Sequence, residues 1–232
     1  MKTIYYITYT PKTPVSPILE SYKNIKTLDL LKLSILKDSN LLEKLKICDS
    51  LIFTSKNAIF ALQKTLKDKW HDIPCYVIGN GSNQALKHFG IKAAFVGKGI
   101  QGDSFAKDLS NLLKEKNPLF IRAQKIASRL IEILQQANIP IEQSILYKSS
   151  IITLNQQEKN QLKPPKDSII FFSAPSCIQA FLKNFSWQED YIALCIGKTT
   201  LESAKNALGS KATLFLSPKA NIKESLHFAR HL

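Results

Sequence analysis

The chain states one structural phrase twice. Residues 52–62 read I-F-T-S-K-N-A-I-F-A-L, and residues 171–181 read F-F-S-A-P-S-C-I-Q-A-F. Each is an apolar strand, a short turn carrying Ser or Thr, and a helical run. A second pair follows at nearly the same offset. Val77-Ile78-Gly79-Asn80-Gly81-Ser82 matches Cys195-Ile196-Gly197-Lys198-Thr199-Thr200, and the helices run on to Gly90 and Gly209. A strand–turn–helix phrase stated twice predicts two similar α/β lobes with a cleft between them.

The apolar runs predict strands at Ile4–Thr8, Ser50–Thr54, Cys75–Ile78, Ala93–Val96, Leu119–Arg122, Ile169–Ser173, Ala193–Ile196 and Thr213–Leu216. Short runs of Ile, Val, Leu and Phe are the pattern of strands buried on both faces. Apolar residues three or four apart predict helices at Asn57–Leu66, Gly81–Phe89, Ser104–Lys116, Ala127–Ala137, Ser176–Asn184, Thr199–Leu208 and Lys223–Arg230. Ser104, Ser176 and Thr199 read as N-caps, and Gly90 and Gly209 as helix stops. Alternation of this kind gives parallel sheets flanked by helices.

The copies do not tile the chain as halves. The second begins near residue 167 and has too few strands unless Ile4–Thr8 completes its sheet. One α/β lobe is therefore expected to be discontinuous, 1–28 plus 153–232, with a second lobe, 36–145, inserted into it. The crossings, 29–35 and 146–152, alternate apolar and polar residues and are expected to form a two-stranded ladder with hinge freedom.

With 44% hydrophobic residues in 232, either lobe can bury a core. The run 3–9 is too short for a signal peptide's apolar region, and no stretch is long enough for a membrane helix. The four cysteines, Cys48, Cys75, Cys177 and Cys195, show no C-x-x-C spacing. They read as small thiols of a reducing, cytoplasmic compartment, with Cys75 and Cys195 at strand starts and Cys177 at a helix start. The histidines stand apart, so no metal site is expected. A net charge of +14 asks for an anionic partner. It is carried by scattered lysines with only Arg122, Arg129 and Arg230 beside them, which argues against a nucleic-acid surface.

In parallel α/β sheets ligands bind beyond the carboxyl ends of the strands, where helix N-termini present free N–H groups. Five turns qualify: Thr54-Ser55-Lys56-Asn57, Gly79-Asn80-Gly81-Ser82, Arg122-Ala123-Gln124-Lys125, Ser173-Ala174-Pro175-Ser176 and Gly197-Lys198-Thr199-Thr200. Any one of them alone reads first as an ordinary helix cap. Gly197-Lys198-Thr199-Thr200 lacks the G-x-x-x-x-G-K spacing of a phosphate loop, and no G-x-G-x-x-G opens a βαβ unit. The set of five on two lobes is what points to a polyanion.

Five blocks, in this order and spacing, resemble the uroporphyrinogen-III synthase family. They are Ile52-Phe53-Thr54-Ser55-Lys56-Asn57-Ala58, Tyr76-Val77-Ile78-Gly79-Asn80, Ile145-Leu146-Tyr147-Lys148-Ser149, Phe172-Ser173-Ala174-Pro175-Ser176, and Ala193-Leu194-Cys195-Ile196-Gly197-Lys198-Thr199-Thr200. The chain departs from the family pattern in places. It has Thr8-Tyr9-Thr10-Pro11 where Thr-Arg-Pro is usual, Ala174 for serine, Ser82 for threonine and Ala123 for glycine.

The resemblance implies two flavodoxin-like lobes with parallel sheets, one discontinuous, joined by a two-stranded β-ladder. It implies cyclisation of hydroxymethylbilane to uroporphyrinogen III with inversion of ring D and loss of water, in tetrapyrrole (haem) biosynthesis. It further implies a cytoplasmic monomer without metal or organic cofactor, receiving its linear tetrapyrrole by hand-over from hydroxymethylbilane synthase, with no nucleic-acid or membrane partner. The substrate contacts it implies are Thr54, Ser55, Lys56, Asn57, Gly79, Asn80, Ser82, Arg122, Ala123, Gln124, Ser173, Ala174, Lys198, Thr199 and Thr200.

Tyr147 takes the place of the family's cleft tyrosine, where a protonated phenol can donate to the departing hydroxyl; packing in the ladder is the competing role. Closure without inversion competes with the family reaction. Diverting ~99% of the product needs only about 2.7 kcal/mol, which clamped geometry can supply. The alternative to the synthase is a non-enzymatic two-lobe receptor for an anionic small molecule.

Overall fold

The computed structural model describes residues 2–10, 24–97, 102–126 and 128–232, and shows an α/β fold. Its strands are β1 (Ile4–Thr10), β2 (Ile25–Ile35), β3 (Ser50–Phe53), β4 (Cys75–Ile78), β5 (Phe95–Gly97), β6 (Pro118–Ala123), β7 (Glu142–Ile151), β8 (Ile169–Phe172), β9 (Ile192–Cys195) and β10 (Thr213–Leu216). The helices are α1 (Leu41–Ile47), α2 (Lys56–Leu66), α3 (Gly79–His88), α4 (Gly102–Leu112), α5 (Leu130–Gln136), α6 (Gln156–Leu162), α7 (Pro175–Asn184), α8 (Lys198–Leu208) and α9 (Ile222–Ala229). The chain divides into two compact units, 1–33 with 149–232, and 34–148.

In the first unit the strand order is β10-β9-β8-β1-β2, and the pairings β10–β9, β9–β8, β8–β1 and β1–β2 are parallel. Alternate residues go to opposite faces of a strand. Tyr5, Ile7, Ile170, Phe172, Ala193 and Cys195 accordingly join one core, with Ile178 and Phe181 of α7 and Ala204 of α8. Ile4, Tyr6, Ile169, Phe171 and Leu194 join another, with Leu226 and Ala229 of α9. A sheet covered on both faces explains why these strands read as unbroken apolar runs.

In the second unit the order is β7-β6-β3-β4-β5, again parallel at every pairing. Ile52, Tyr76, Ile78 and Phe120 face α4 and α5 through Phe105, Leu109, Leu130 and Leu134. On the next residue along β3, Phe53 lies 5.8 Å from the buried ring of Trp70. Each unit holds one copy of the repeated phrase: β3-α2-β4-α3 in the second, β8-α7-β9-α8 in the first.

Several local expectations need correction. The crossing segments are longer strands than the alternation suggested. β2 pairs with β1 from Ile25 onward, and β7 pairs with β6 from Glu142 onward. Lys26, Thr27 and Gln143 break the apolar run that would have revealed this. None of the three expected N-caps is one. Ser104 lies in the first turn of α4, whose cap position is outside the described residues.

Pro175 takes the first turn of α7, which its fixed φ favours, so Ala174 is the N-cap and Ser176 is helical. Gly197 caps α8 in place of Thr199. Cys195 ends its strand instead of starting it. The short helices α1 and α6 are additional to the helices expected from the apolar spacing, and the start expected at Ala127 falls outside the described residues; α5 is described from Leu130.

Candidate functional site

Because the paired strands of each unit are parallel, their carboxyl ends share one edge of that unit's sheet. In the second unit, the consecutive ends of β6, β3 and β4 carry Arg122-Ala123-Gln124, then Thr54–Asn57, then Gly79–Ser82, and Tyr147, inside β7, pairs with Ala123 at the end of β6. In the first unit the ends of β8 and β9 carry Ser173–Ser176 and Gly197–Thr200. The fold therefore gathers the predicted turns into one edge per unit.

At the β3–α2 turn Ser55 is the N-cap, and its hydroxyl accepts from the Asn57 N–H at 3.2 Å. Lys56, the first residue of α2, is partly buried, and desolvation lowers its pKa. At the β4–α3 turn Gly79 has φ +72°, a conformation a Cβ would disfavour, which lets the chain turn straight into the helix. Asn80 is exposed there, while Ser82 is buried in the first turn. No side chain caps α3, α7 or α8. Among the described residues, no N-cap side chain engages the free N–H groups at these three helix starts, Pro175 supplying none at α7, and each start carries the positive end of a helix dipole. By contrast, Asn155 and Asn221 cap α6 and α9.

At the start of α7 the Ser173 hydroxyl lies 3.7 Å from the Cys177 thiol. Two tyrosines that the sequence did not mark close this turn. Tyr6 lies beside Ser173 and Tyr9 beside Ser176. Burial raises both phenols, Tyr6 to about 12, against the lowering influence of the neighbouring serine hydroxyls. Their spacing along β1 is the only signal the sequence offered. At α8, Lys198 and Thr199 are exposed and Thr200 is buried.

The β6 end differs from the other turns. Arg122 donates from Nε to the Gln143 side-chain oxygen at 2.8 Å, and from Nη1 to the carbonyls of Ala123 at 2.9 Å and Gln124 at 3.3 Å. The Gln124 N–H donates to the Tyr147 carbonyl at 2.8 Å. Tyr147 is only 6% exposed. Arg129 is held by Asp103, which accepts from its backbone N–H at 3.0 Å and from its guanidinium at 3.0 and 3.1 Å.

Cys75, Cys177 and Cys195 are buried free thiols, and burial raises each pKa, to about 12 for Cys75 and Cys195. They are poor nucleophiles. Among the described residues no group of three His, Cys, Asp or Glu side chains could hold a metal ion, and no helix is long and apolar enough to cross a membrane.

A family model described as uroporphyrinogen-III synthase HemD matches residues 34–214. This chain belongs to the uroporphyrinogen-III synthase family. Among solved structures it is similar to uroporphyrinogen-III synthetase from Helicobacter pylori, with 28% identity, a TM-score of 0.76, and coverage of 100% of this chain and 99% of that one. It also resembles a mutant uroporphyrinogen III synthase from Thermus thermophilus, with 12% identity, a TM-score of 0.59, and coverage of 99% and 98%. At that identity the second likeness is one of fold. A search of curated proteins finds no match.

Proposed function

We propose that this chain is a uroporphyrinogen-III synthase, a hydro-lyase that cyclises hydroxymethylbilane to uroporphyrinogen III with inversion of ring D and release of water. The observation that carries this reading is the family match over residues 34–214. The chemistry of the sheet edges suits it. The substrate bears an acetate and a propionate on each pyrrole, and helix N-termini without side-chain caps suit carboxylates. Each charge-assisted hydrogen bond adds about 1.5–3 kcal/mol. Thr54–Asn57, Gly79, Asn80, Lys198 and Thr199 are the proposed contacts, with Ser173 and Ala174 at α7; backbone amides do most of the gripping.

The two compact units act as flavodoxin-like lobes, 1–28 plus 153–232 and 36–145, joined by a β-ladder at 29–35 and 146–152. The enzyme works as a cytoplasmic monomer supplied by hydroxymethylbilane synthase.

In the proposed reaction the pyrrole nitrogen pushes electrons toward the terminal carbon, and the C–O bond breaks. The Tyr147 phenol gives its proton to the departing oxygen, so water leaves and a cationic azafulvene remains. Ring D attacks through its substituted carbon, forming a spiro intermediate that reopens and recloses in inverted order. The proton lost on re-aromatisation returns to the phenolate, which balances the cycle.

The test is an assay with freshly made hydroxymethylbilane, resolving the porphyrin isomers after oxidation. Predominantly type III product is expected. Type I alone, at the spontaneous rate, would make the chain a binding protein for an anionic ligand. In the same assay Tyr147→Phe is expected to lower kcat about 10²-fold, the lower range for general acid catalysis; a near-normal rate would remove the acid role.

A further inference from the structure

Arg122 has the charge to bind a carboxylate, yet its guanidinium is turned onto the neighbouring Gln143 side chain and its own backbone. Nε donates to the Gln143 side chain at 2.8 Å and Nη1 to the carbonyls of Ala123 and Gln124 at 2.9 and 3.3 Å. Gln143 is itself anchored, since its carbonyl accepts from Lys44 Nζ at 2.7 Å. Lys44 is fixed in turn by Asp38 at 2.9 Å, and Asp38 also accepts from the Ser144 hydroxyl at 2.7 Å. The guanidinium thus ties the last residues of β6 to a braced point on β7.

A β-bulge sits between the two ends of that tie. Arg122 pairs with Ile145, but Ala123 pairs with Tyr147, so β7 carries an extra residue there. The burial pattern of β7 slips at the same place. Gln143 and Ile145 are partly exposed while Ser144 and Leu146 are buried, and Tyr147 is then buried where alternation called for exposure. Bulges re-aim the side chains beside them. This one sets where Tyr147 points, and the Gln124 N–H locks it by donating to the Tyr147 carbonyl.

We propose that Arg122 is a positioning residue, whose planar fork holds the β6–β7 bulge that aims Tyr147, and not a substrate contact. For its effect on turnover the proposal rests on the reading of Tyr147 as the proton donor. Its effect on strand register does not.

The charge and the fork separate cleanly in Arg122→Lys, because lysine keeps the cation and loses the planar set of donors. If the fork matters, Arg122→Lys behaves like Arg122→Met. Both lower kcat by roughly tenfold, in keeping with a misplaced catalytic group, and change KM less than about twofold. Gln143→Met, which removes only the Nε partner, moves kcat in the same direction by less and guards against a folding defect in the arginine variants. In a Tyr147→Phe background the Arg122 changes cost nothing further. A crystal structure of Arg122→Met or Gln143→Met shows Ala123 facing Leu146, the bulge gone or displaced.

Normal turnover by Arg122→Lys, or a rise in KM at constant kcat, would return Arg122 to the substrate. An unchanged Ala123–Tyr147 register in both crystallised variants would overturn the proposal whatever the enzyme assay reads. Absence of type III product from the unmutated chain would instead sink the functional reading and leave the register result standing.

Discussion

Lys56 stands where electrostatics least favours a lysine. It is the first residue of α2, at the positive end of the helix dipole, and burial lowers its pKa with no ion pair among the described residues to offset the cost. A bound carboxylate would relieve both penalties at once. Lys56→Gln is therefore expected to stabilise the ligand-free protein by about 0.5–1 kcal/mol at pH 7, a rise in Tm of roughly 1–4 °C, while raising KM.

The pH dependence has a definite sign. A lysine with a lowered folded pKa binds fewer protons when folded than unfolded, so its penalty is full at neutral pH and fades as pH rises through that folded value. Thermal melts at pH 7 and pH 10 should show the gap between variant and parent shrinking. A Lys56→Gln protein that is less stable than its parent at pH 7 would refute the argument. The sequence identified the turn but not this conflict, just as it identified Arg122 but not which way its fork faces. Residue type and spacing name a group able to bind an anion. Only the packing around it says whether that group is already engaged.

Elements with an apolar face were legible, and those held by polar contacts were not. α6 buries no residue and gave no helical period, yet Asn155 and Glu158 close a capping box at 2.8 and 2.9 Å, a polar device that apolar spacing does not reveal. The expected caps at Ser104, Ser176 and Thr199 failed because hydroxyl residues also serve inside the first turn: Ser104 and Thr199 lie exposed there, and Ser176 follows Pro175 into α7.

Asn184 shows the same lesson at the other end of a helix. It read as the last residue of α7, but its amide donates to the carbonyls of Ile152 at 2.7 Å and Ala180 at 2.9 Å, and its oxygen accepts from the Leu154 N–H at 2.8 Å. The chain leaving β7 is thereby fastened to α7. Asn184→Leu would strand two backbone groups, one of them the buried Leu154 N–H, and is expected to destabilise by about 2–4 kcal/mol. The check is the midpoint of urea unfolding at unchanged m-value; a loss under about 0.5 kcal/mol would mean water or neighbours satisfy these groups.

At the scale of the molecule, the repeated phrase reported the duplication because it recurs in the apolar strands that must be buried on both faces. It said little about where the chain changes units, since β2 and β7 run across both boundaries without a break in structure. The net charge of +14 was legible as well, and it acts on the whole particle. The described ion pairs are mostly exposed, such as Lys46–Glu43, Lys205–Glu202 and Lys211–Glu189, and exposed pairs add little stability.

The excess lysines therefore repel one another in the folded state while drawing a polycarboxylate toward the protein. Salt screens both effects, so it should move stability and capture in opposite directions. Raising ionic strength from about 20 to about 500 mM shortens the Debye length from roughly 20 Å to about 4 Å. Over that range Tm is expected to hold or rise by a few degrees, while kcat/KM falls several-fold and kcat changes little. The contrast is specific to a steered polyanionic substrate. A kcat/KM indifferent to salt would mean that the lysines serve solubility alone, and that the helix termini capture the tetrapyrrole without long-range help.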